Sequence, residues 1–151
     1  RHTYRISYEN VEAHEKIFSK LIAKESFMIQ EFQENVIKKG EVAYMIFEDR
    51  FTHAVLKKAK PGDFRVQDDF GGTVHDYNPT KEEIRFAEKV ISTCDPLPIY
   101  GRVDAIHDNT GKLSVSELEL IEPSMYLRTD PEAPARFARA VDARFSGTTR
   151  P

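Results

Sequence analysis

The sequence predicts an α+β fold, mainly an antiparallel sheet flanked by helices. Apparent strands are joined by short turns instead of the long crossovers that parallel strands require, in the order β-α-β-β-β-loop-α-β-β-α. The 151 residues, 40% hydrophobic and 31% charged, are enough to enclose one core. We therefore expect one domain over residues 1–145 and a flexible tail at residues 146–151. Because the chain starts with Arg1 close to an apparent strand, and not with methionine, we expect it to be part of a longer polypeptide.

The first third of the chain predicts a helix between two strands. Residues 3–8 and the stretch SFMIQEF at residues 26–32 have the composition of extended segments. Between them, Asn10 is suited to cap a helix over residues 11–24, because apolar side chains recur there at helical spacing.

A hairpin and a long loop follow. The stretch EVAYMIFEDRFTHAVLK at residues 41–57 predicts two strands with a turn at residues 48–50. We expect His53 at the surface or in a turn, since no partner for it is apparent. Residues 58–79 carry several glycines and prolines and are predicted to be a loop.

Two further helices have recognisable starts. Thr80 and Glu83 are spaced as a capping box for a helix that runs to about Cys94. Asp130 and Pro131 have the residue types that begin a last helix near the end of the chain.

A second hairpin, GRVDAIHDNTGKLSVSELELIEP at residues 101–123, concentrates charged side chains. Alternation along a strand puts Arg102 and Asp104 on one side, and Glu117 and Glu119 on one side of the next strand. A turn centred between residues 110 and 111 sets Asp104 opposite Glu117 and Arg102 opposite Glu119. Carboxylates that face each other repel unless a positive charge lies between them. The same alternation directs the side chain at position 116 to the opposite side.

Two interpretations of this acidic hairpin remain open on spacing alone. The carboxylates could hold one or two magnesium ions, because magnesium takes a few carboxylate ligands and completes its shell with water and nucleotide phosphates. Alternatively, the charged residues form an ordinary solvated face, which is common on surface strands.

Composition and motif searches exclude several classes of protein. The net charge of −3 gives no electrostatic footprint for nucleic acid, and no apolar run has the length of a membrane span. The patterns of a zinc protease, a P-loop, an EF-hand and a serine hydrolase elbow are absent. The single cysteine, Cys94, cannot form an internal disulfide and is compatible with a reducing cytoplasm.

The stretch YGRVDAIHDNTGKLSVSELELIEP at residues 100–123 resembles the C-terminal signature of the ATP-grasp superfamily, an Arg-x-Asp strand followed by a Glu-x-Asn or Glu-x-Glu strand and a proline. Upstream, FMIQEF resembles the strand and hinge that contact adenine. Residues 38–72 resemble the hairpin, basic strand end and arginine-containing loop that follow in that family. The resemblance covers residues 1–145 as the C-terminal half of such a domain, with the glutathione-synthetase-like or RimK-like branch as the nearest match.

The resemblance implies a set of metal and phosphate residues. Asp104, Glu117 and Glu119 would be ligands of ATP-linked magnesium, with manganese as the alternative ion. Asparagine is commoner in the family at the last position, so Glu119 departs from the pattern and adds negative charge. Arg102 would contact phosphate or the acylphosphate, and Arg65 would reach the transferred phosphoryl group or the substrate.

It also implies nucleotide contacts. Gln30, Glu31 and Phe32 would flank adenine, largely through backbone groups, although an aromatic such as Phe32 could equally be a core residue. Glu41 would bind the ribose hydroxyls. Lys57, or the lysine after it, would reach the phosphoryl group or the substrate, and at most one of the two adjacent side chains can face the site.

The function that the resemblance implies is a cytoplasmic ligase that uses ATP to activate a small-molecule carboxylate as an acylphosphate for attack by an amine or a thiol. The fragment alone is expected to be inactive, and no nucleic acid or membrane partner is expected. The sequence does not specify the oligomeric state. The alternatives are a degenerate ATP-grasp domain that binds nucleotide without ligation, and a non-catalytic α+β interaction module.

Overall fold

A computed structural model describes residues 3–66 and 71–146. The chain divides into two compact units, Arg1–Gln33 and Glu34–Pro151. The predicted tail at residues 146–151 therefore lies outside the described residues except for Ser146, which ends the last helix. Among the described residues, none of the helices combines the length and the apolar character needed to cross a membrane.

The first unit contains one helix, α1 (Val11–Ile22). The two predicted strands at residues 3–8 and 26–32 are wrong, because the described residues there have no strand assignment. A strand needs a hydrogen-bonded neighbour, and alternation in the sequence does not supply one. The Asn10 side chain does not cap α1; its Oδ1 accepts a hydrogen bond from the Ser7 backbone N–H at 2.8 Å.

The second unit is a five-stranded antiparallel sheet with helices against it, which confirms the predicted fold class. The strands are β1 (Glu41–Phe47), β2 (Arg50–Lys58), β3 (Thr73–Tyr77), β4 (Tyr100–His107) and β5 (Leu113–Glu119), in the order β3-β2-β1-β4-β5. The helices are α2 (Asn35–Lys39), α3 (Lys81–Ile91) and α4 (Ala133–Phe145), with a 3₁₀ helix at Leu127–Thr129.

The β1–β2 hairpin forms as predicted, with Phe47 paired to Arg50 across a two-residue turn. Strand β3, however, lies inside the predicted loop. Its side chains are mostly exposed, as befits an edge strand, so its composition lacks the apolar alternation of an inner strand. It pairs along β2 from Ala54 to Lys58.

The sheet has an apolar core on each face. On the first face, Val42, Tyr44 and Ile46 of β1 pack with α3. On the second face, the alternate residues Ala43, Met45 and Phe47 of β1 pack with α4 and with the segment before it. Helix α3 starts with the predicted capping box, in which Thr80 and Glu83 each accept a backbone N–H of the other.

The β4–β5 pairing confirms the predicted register where the charged residues lie. Arg102 is opposite Glu119, and Asp104 is opposite Glu117. Nearer the turn the register shifts, so that Ala105 pairs with Val115. This bulge leaves one extra residue on β5, Ser116, between the residues that pair with Asp104 and Ala105. Strict alternation along a strand does not predict such an extra residue.

His53 is not at the surface, so that prediction is wrong. The residue is 8% exposed, and its Nε2 lies 2.8 Å from the carbonyl oxygen of Met125. Desolvation lowers the pKa of His53 below its ordinary value, although the Met125 carbonyl acts in the opposite direction. The β2 strand is thereby tied to the segment that precedes α4.

Candidate active site

Charged and polar side chains gather on the second face of the sheet, beyond the core that α4 covers. We call this group the polar patch; it consists of Glu41, Lys57, Arg102, Asp104, Ser116, Glu117 and Glu119. Strand alternation explains its position, since residues 41, 43, 45 and 47 of β1 share a side. Four of the five strands contribute residues to the polar patch, namely β1, β2, β4 and β5.

Asp104 lies at the centre of the polar patch and is fully buried, with 0% of its surface exposed. Its Oδ1 accepts a hydrogen bond from Arg102 Nε at 2.8 Å. Its Oδ2 accepts two, from Arg102 Nη2 at 2.9 Å and from Lys57 Nζ at 2.6 Å. Two cations thus hold one carboxylate, which satisfies a charge that would otherwise be costly to bury.

Lys57 connects Asp104 to the start of β1. Its Nζ lies 2.5 Å from Glu41 Oε1, and the other Glu41 oxygen accepts a hydrogen bond from Ser116 Oγ at 2.7 Å. Burial alone would lower the pKa of Lys57, but the adjacent Asp104 and Glu41 carboxylates outweigh it and raise the pKa above its ordinary value. Lys57 is therefore a buried ammonium, with 3% of its surface exposed.

Arg102 uses most of its donors inside the protein. Besides the two bonds to Asp104, its Nη2 donates to Glu119 and its Nη1 donates to the Ser124 carbonyl at 3.3 Å. Burial alone would lower the pKa of Arg102. The hydrogen bonds to Asp104 and the charges of Asp104 and Glu119 outweigh burial and raise the pKa above its ordinary value. Of the five N–H groups of a guanidinium, four are committed to these contacts.

Three carboxylates of the polar patch converge. Asp104, Glu117 and Glu119 each offer an oxygen, and these oxygens lie within 4.8 Å of one another. Desolvation raises the pKa of Glu117, and repulsion by Glu119 and Asp104 raises it further. Within residues 3–66 and 71–146, no cation pairs with Glu117.

The charges of the polar patch do not balance. Its four carboxylates face two cations, Lys57 and Arg102, which leaves two negative charges. Clustered carboxylate oxygens with excess negative charge are the donor set that hard divalent cations such as Mg²⁺ prefer. The residues present therefore fit a divalent cation in both ligand chemistry and charge.

The structure brings together the predicted metal residues with Arg102, Glu41 and Lys57. Lys57, however, points at two carboxylates of the protein and is buried between them. Arg65 lies in the loop between β2 and β3, where its Nε and Nη2 bind the two oxygens of Asp63 at 3.0 and 2.8 Å. Its role toward a phosphoryl group stays a prediction.

The predicted adenine residues belong to the first unit. Gln30 and Glu31 are exposed and lie in an irregular segment, and Phe32 is half-buried under the Arg5 guanidinium, 3.9 Å from the ring centre. Nucleotide contacts by these residues, and ribose binding by Glu41, stay predictions.

Ser116 is the member of the polar patch that sequence reasoning missed. Alternation from Glu117 directs it to the other face, whereas the bulge beside Asp104 returns it to the face of Glu41. A polar serine between two strand residues carries no signal of that bulge, so its contact with Glu41 could be found only from the structure.

Comparisons with known proteins bear on the family and the fold of the chain. No family model matches the chain. The chain is 30% identical over 141 residues to the cycloserine biosynthesis protein DcsG of Streptomyces lavendulae, an alignment that covers 83% of this chain and 45% of that protein.

Two solved structures share the fold. The crystal structure of D-cycloserine synthetase DcsG has a TM-score of 0.72 and 28% sequence identity, covering 90% of this chain and 48% of that one. The D-alanine–D-alanine ligase of Bacillus anthracis complexed with ATP has a TM-score of 0.50 and 12% identity, covering 93% of this chain and 55% of that one. The chain thus spans about half the length of the proteins it matches. Together with the motif order and the observed sheet, these likenesses confirm the resemblance stated from the sequence: the chain belongs to the ATP-grasp superfamily.

Proposed function

We propose that the chain supplies the metal- and phosphate-binding half of an ATP-dependent ligase. The reaction is the activation of a small-molecule carboxylate as an acylphosphate, which an amine or a thiol then attacks. The observation that carries the proposal is the convergence of three carboxylates, the buried Asp104, the half-buried Glu119 and the exposed Glu117, in a patch with two uncompensated negative charges. Membership of the superfamily and the names of the two structural neighbours, a synthetase and a ligase, support the same class.

Phosphoryl transfer asks little covalent chemistry of a protein, because positioning and charge neutralisation lower most of the barrier. A divalent cation held by Asp104, Glu117 and Glu119 would supply the positive charge that neutralises the nucleotide's phosphate oxygens. The protein's own contribution is to fix the carboxylates. Arg102 holds Asp104 through two hydrogen bonds and also holds Glu119, so two of the three ligands are oriented by one rigid guanidinium.

Glu117 has a different part in the proposal. It is the carboxylate of the three without a cation partner among the described residues, and its raised pKa reports its partial desolvation and two anionic neighbours. A divalent cation would remove that repulsion. Glu117 is therefore the position at which loss of the carboxylate should affect ion binding with the least effect on folding.

The test is calorimetric binding of ATP with magnesium to the whole protein, comparing the wild type with Glu117→Gln. We expect wild-type heat only when ATP and magnesium are both present, and affinity at least about 100-fold weaker in the variant, because loss of even an outer-shell partner costs 10–100-fold. The matched control is Glu82→Gln, an exposed carboxylate on α3 at the other face. Asp104→Asn is a poorer test, since it also breaks a buried ion pair, at a cost of about 3–5 kcal/mol.

Turnover distinguishes the alternatives. Release of ADP in the presence of carboxylate and amine substrates supports a ligase. Magnesium-dependent binding without turnover across a panel of amino acids identifies a degenerate domain. Equal ATP affinity in wild type and Glu117→Gln would reject the proposed ion site, and no binding at all would leave an interaction module.

A further inference from the structure

Strand β5 is held to the sheet along one side only. It is the edge strand next to β4, and it carries Glu117 and Glu119, two of the three carboxylates of the proposed ion site. Its ladder with β4 is interrupted between the pairs Asp104–Glu117 and Ala105–Val115. A bulge leaves a residue unpaired and disrupts the ladder locally. The backbone pairing of β5 is therefore interrupted directly beside Glu117.

The two glutamates of β5 are not held equally. Glu119 accepts a hydrogen bond from Arg102, which fixes its carboxylate. Glu117 is exposed, and within the described ranges 3–66 and 71–146 no cation pairs with it. The position of the Glu117 carboxylate therefore depends on how well the backbone of β5 is held at the bulge.

The bulge turns Ser116 toward the same face as Glu117. Leu113 and Leu118 both pack with the core on the first face, although strict alternation would put residues at this spacing on opposite faces. The extra residue of the bulge accounts for the difference, and it leaves Ser116 and Glu117 side by side on the face of the polar patch. The Ser116 hydroxyl donates a hydrogen bond to Glu41 Oε2 at 2.7 Å. Because β4 lies between β1 and β5, this hydrogen bond crosses β4 and ties the edge strand to β1.

Glu41 is a firm anchor for this tie, because a second contact holds it. Its other oxygen, Oε1, lies 2.5 Å from Lys57 Nζ, and Lys57 also donates to Asp104 Oδ2 at 2.6 Å. Glu41 is 9% exposed and Lys57 is 3% exposed, so water competes little for either group. Ser116 thus connects the edge strand to a buried ion pair, which is itself bound to the carboxylate at the centre of the polar patch.

From this geometry we propose that Ser116 is a positioning residue of the ion site. Its hydroxyl, through Glu41, holds the bulged edge strand so that Glu117 stays within reach of the ion that Asp104 binds. The inference rests on the proposed function, because it assumes that these carboxylates bind a divalent cation. The physical reason is preorganisation, since a strand that is already held in the ion-free protein need not be ordered when the ion binds.

Two substitutions at Ser116 differ only in the hydroxyl. Ser116→Thr keeps the hydroxyl, and Ser116→Val has the shape of the threonine variant without it. Ser116→Ala removes the hydroxyl and adds no bulk. Ser114→Ala is the matched control, because Ser114 lies two residues earlier on β5 and its hydroxyl also donates to a carboxylate. That carboxylate is Asp108, with Oδ2 at 3.2 Å, which belongs to the hairpin turn and not to the polar patch.

The experiment titrates MgCl₂ by calorimetry into the whole protein in the presence of a non-hydrolysable ATP analogue, and the readout is the magnesium dissociation constant. We expect this constant to rise about tenfold in Ser116→Ala and Ser116→Val, the lower end of the loss caused by removing a residue that orients a metal ligand. Ser116→Thr and Ser114→Ala should keep the wild-type value.

A second pair of variants tests the route through Glu41. Glu41→Ala removes the acceptor of the Ser116 hydroxyl, so adding Ser116→Ala to it should raise the dissociation constant no further. A further loss as large as the one in the wild-type background would overturn the inference, because the serine would then act without Glu41.

Urea denaturation followed by circular dichroism verifies that each variant folds and separates positioning from a merely structural role. A lower free energy of unfolding in Ser116→Ala with an unchanged magnesium dissociation constant overturns the inference. Equal weakening in Ser116→Thr and Ser116→Val also overturns it, since the hydroxyl would then not be responsible. If Ser116→Ala does not fold, the comparison of the threonine and valine variants decides alone.

The inference and the proposed function fail in different ways. Magnesium binding by the wild type with equal dissociation constants in the Ser116 variants refutes only the role of Ser116. No ion binding by a folded wild type refutes the proposed function and the inference with it.

Discussion

Gly40, beside the polar patch, is a position where adding a single methyl group should lower the free energy of unfolding. It precedes Glu41 and has φ +81°, in a region that L-residues with a side chain avoid. A Cβ built there would lie 2.4 Å from the backbone carbonyl oxygen of Lys57 and 2.9 Å from Leu56 Cδ1. The first of these atoms belongs to the backbone, so no rotamer change can relieve the contact.

The cost of Gly40→Ala has two parts. The positive φ costs about 1–2 kcal/mol for a residue with a Cβ. Forcing the carbonyl aside costs about 1–3 kcal/mol, as overpacking does in general. Reduced freedom of the unfolded chain returns about 0.4–1 kcal/mol. We therefore expect the free energy of unfolding to fall by about 1–5 kcal/mol, most of it from the contact if the carbonyl is rigid.

The assay is urea denaturation followed by circular dichroism, with Gly111→Ala as the matched control. Gly111 has nearly the same φ, +86°, but a Cβ there meets nothing within 4 Å. The control should therefore show only the backbone part, about 1 kcal/mol after the unfolded-state gain. The difference between the two variants measures the contact between Gly40 and Lys57.

Equal losses in the two variants, within about 0.5 kcal/mol, the usual error of comparing independent sites, would refute this reasoning. That result would mean that the β2 backbone at Lys57 can move away from residue 40 without a loss of stability. The backbone of Lys57 would then not be rigidly positioned.

Two further predictions concern the rest of the second unit. Desolvation holds the pKa of His53 below its ordinary value of 6.5, so the unfolded state binds the proton more readily and the free energy of unfolding should fall as the pH drops below about 6.5. His53→Gln should flatten this dependence in denaturation measured from pH 7 to pH 5. An unchanged dependence in the variant would contradict the role of His53. Glu83→Ala should lower the free energy of unfolding by about 3 kcal/mol, since it removes the Glu83 half of the capping box and the acceptor of the Tyr44 and Tyr77 hydroxyls, at 3.2 and 2.6 Å. A loss under about 1 kcal/mol in the same assay would count against that network, since a single buried group left without its partner costs at least this much.

Local patterns were sufficient for the parts of the fold that local chemistry controls. The turn residues at 108–112 and the alternation of β4 and β5 predicted that Asp104 faces Glu117 and Arg102 faces Glu119, as the structure has them. The capping box of α3 was predicted for the same reason, because Thr80 and Glu83 interact within one turn.

Contacts between distant segments were not predictable in this way. The extended stretch at residues 26–32 resembles a strand, but its composition cannot say whether a neighbouring strand pairs with it. Lysine is ordinarily solvated, so the burial of Lys57 depends on Glu41 and Asp104, which come 16 residues before it and 47 after it in the chain. The Ser116 bulge likewise exists only once β4 is alongside β5.

The ammonium of Lys57 and the guanidinium of Arg102 act as counterions that the polypeptide carries itself. Many small metalloproteins remain unstructured until their metal arrives, because nothing else offsets the charge of their ligands. Here two of the four carboxylate charges are offset from within. We therefore expect this sheet to fold without a bound divalent ion, so that a chelator leaves its circular dichroism spectrum unchanged.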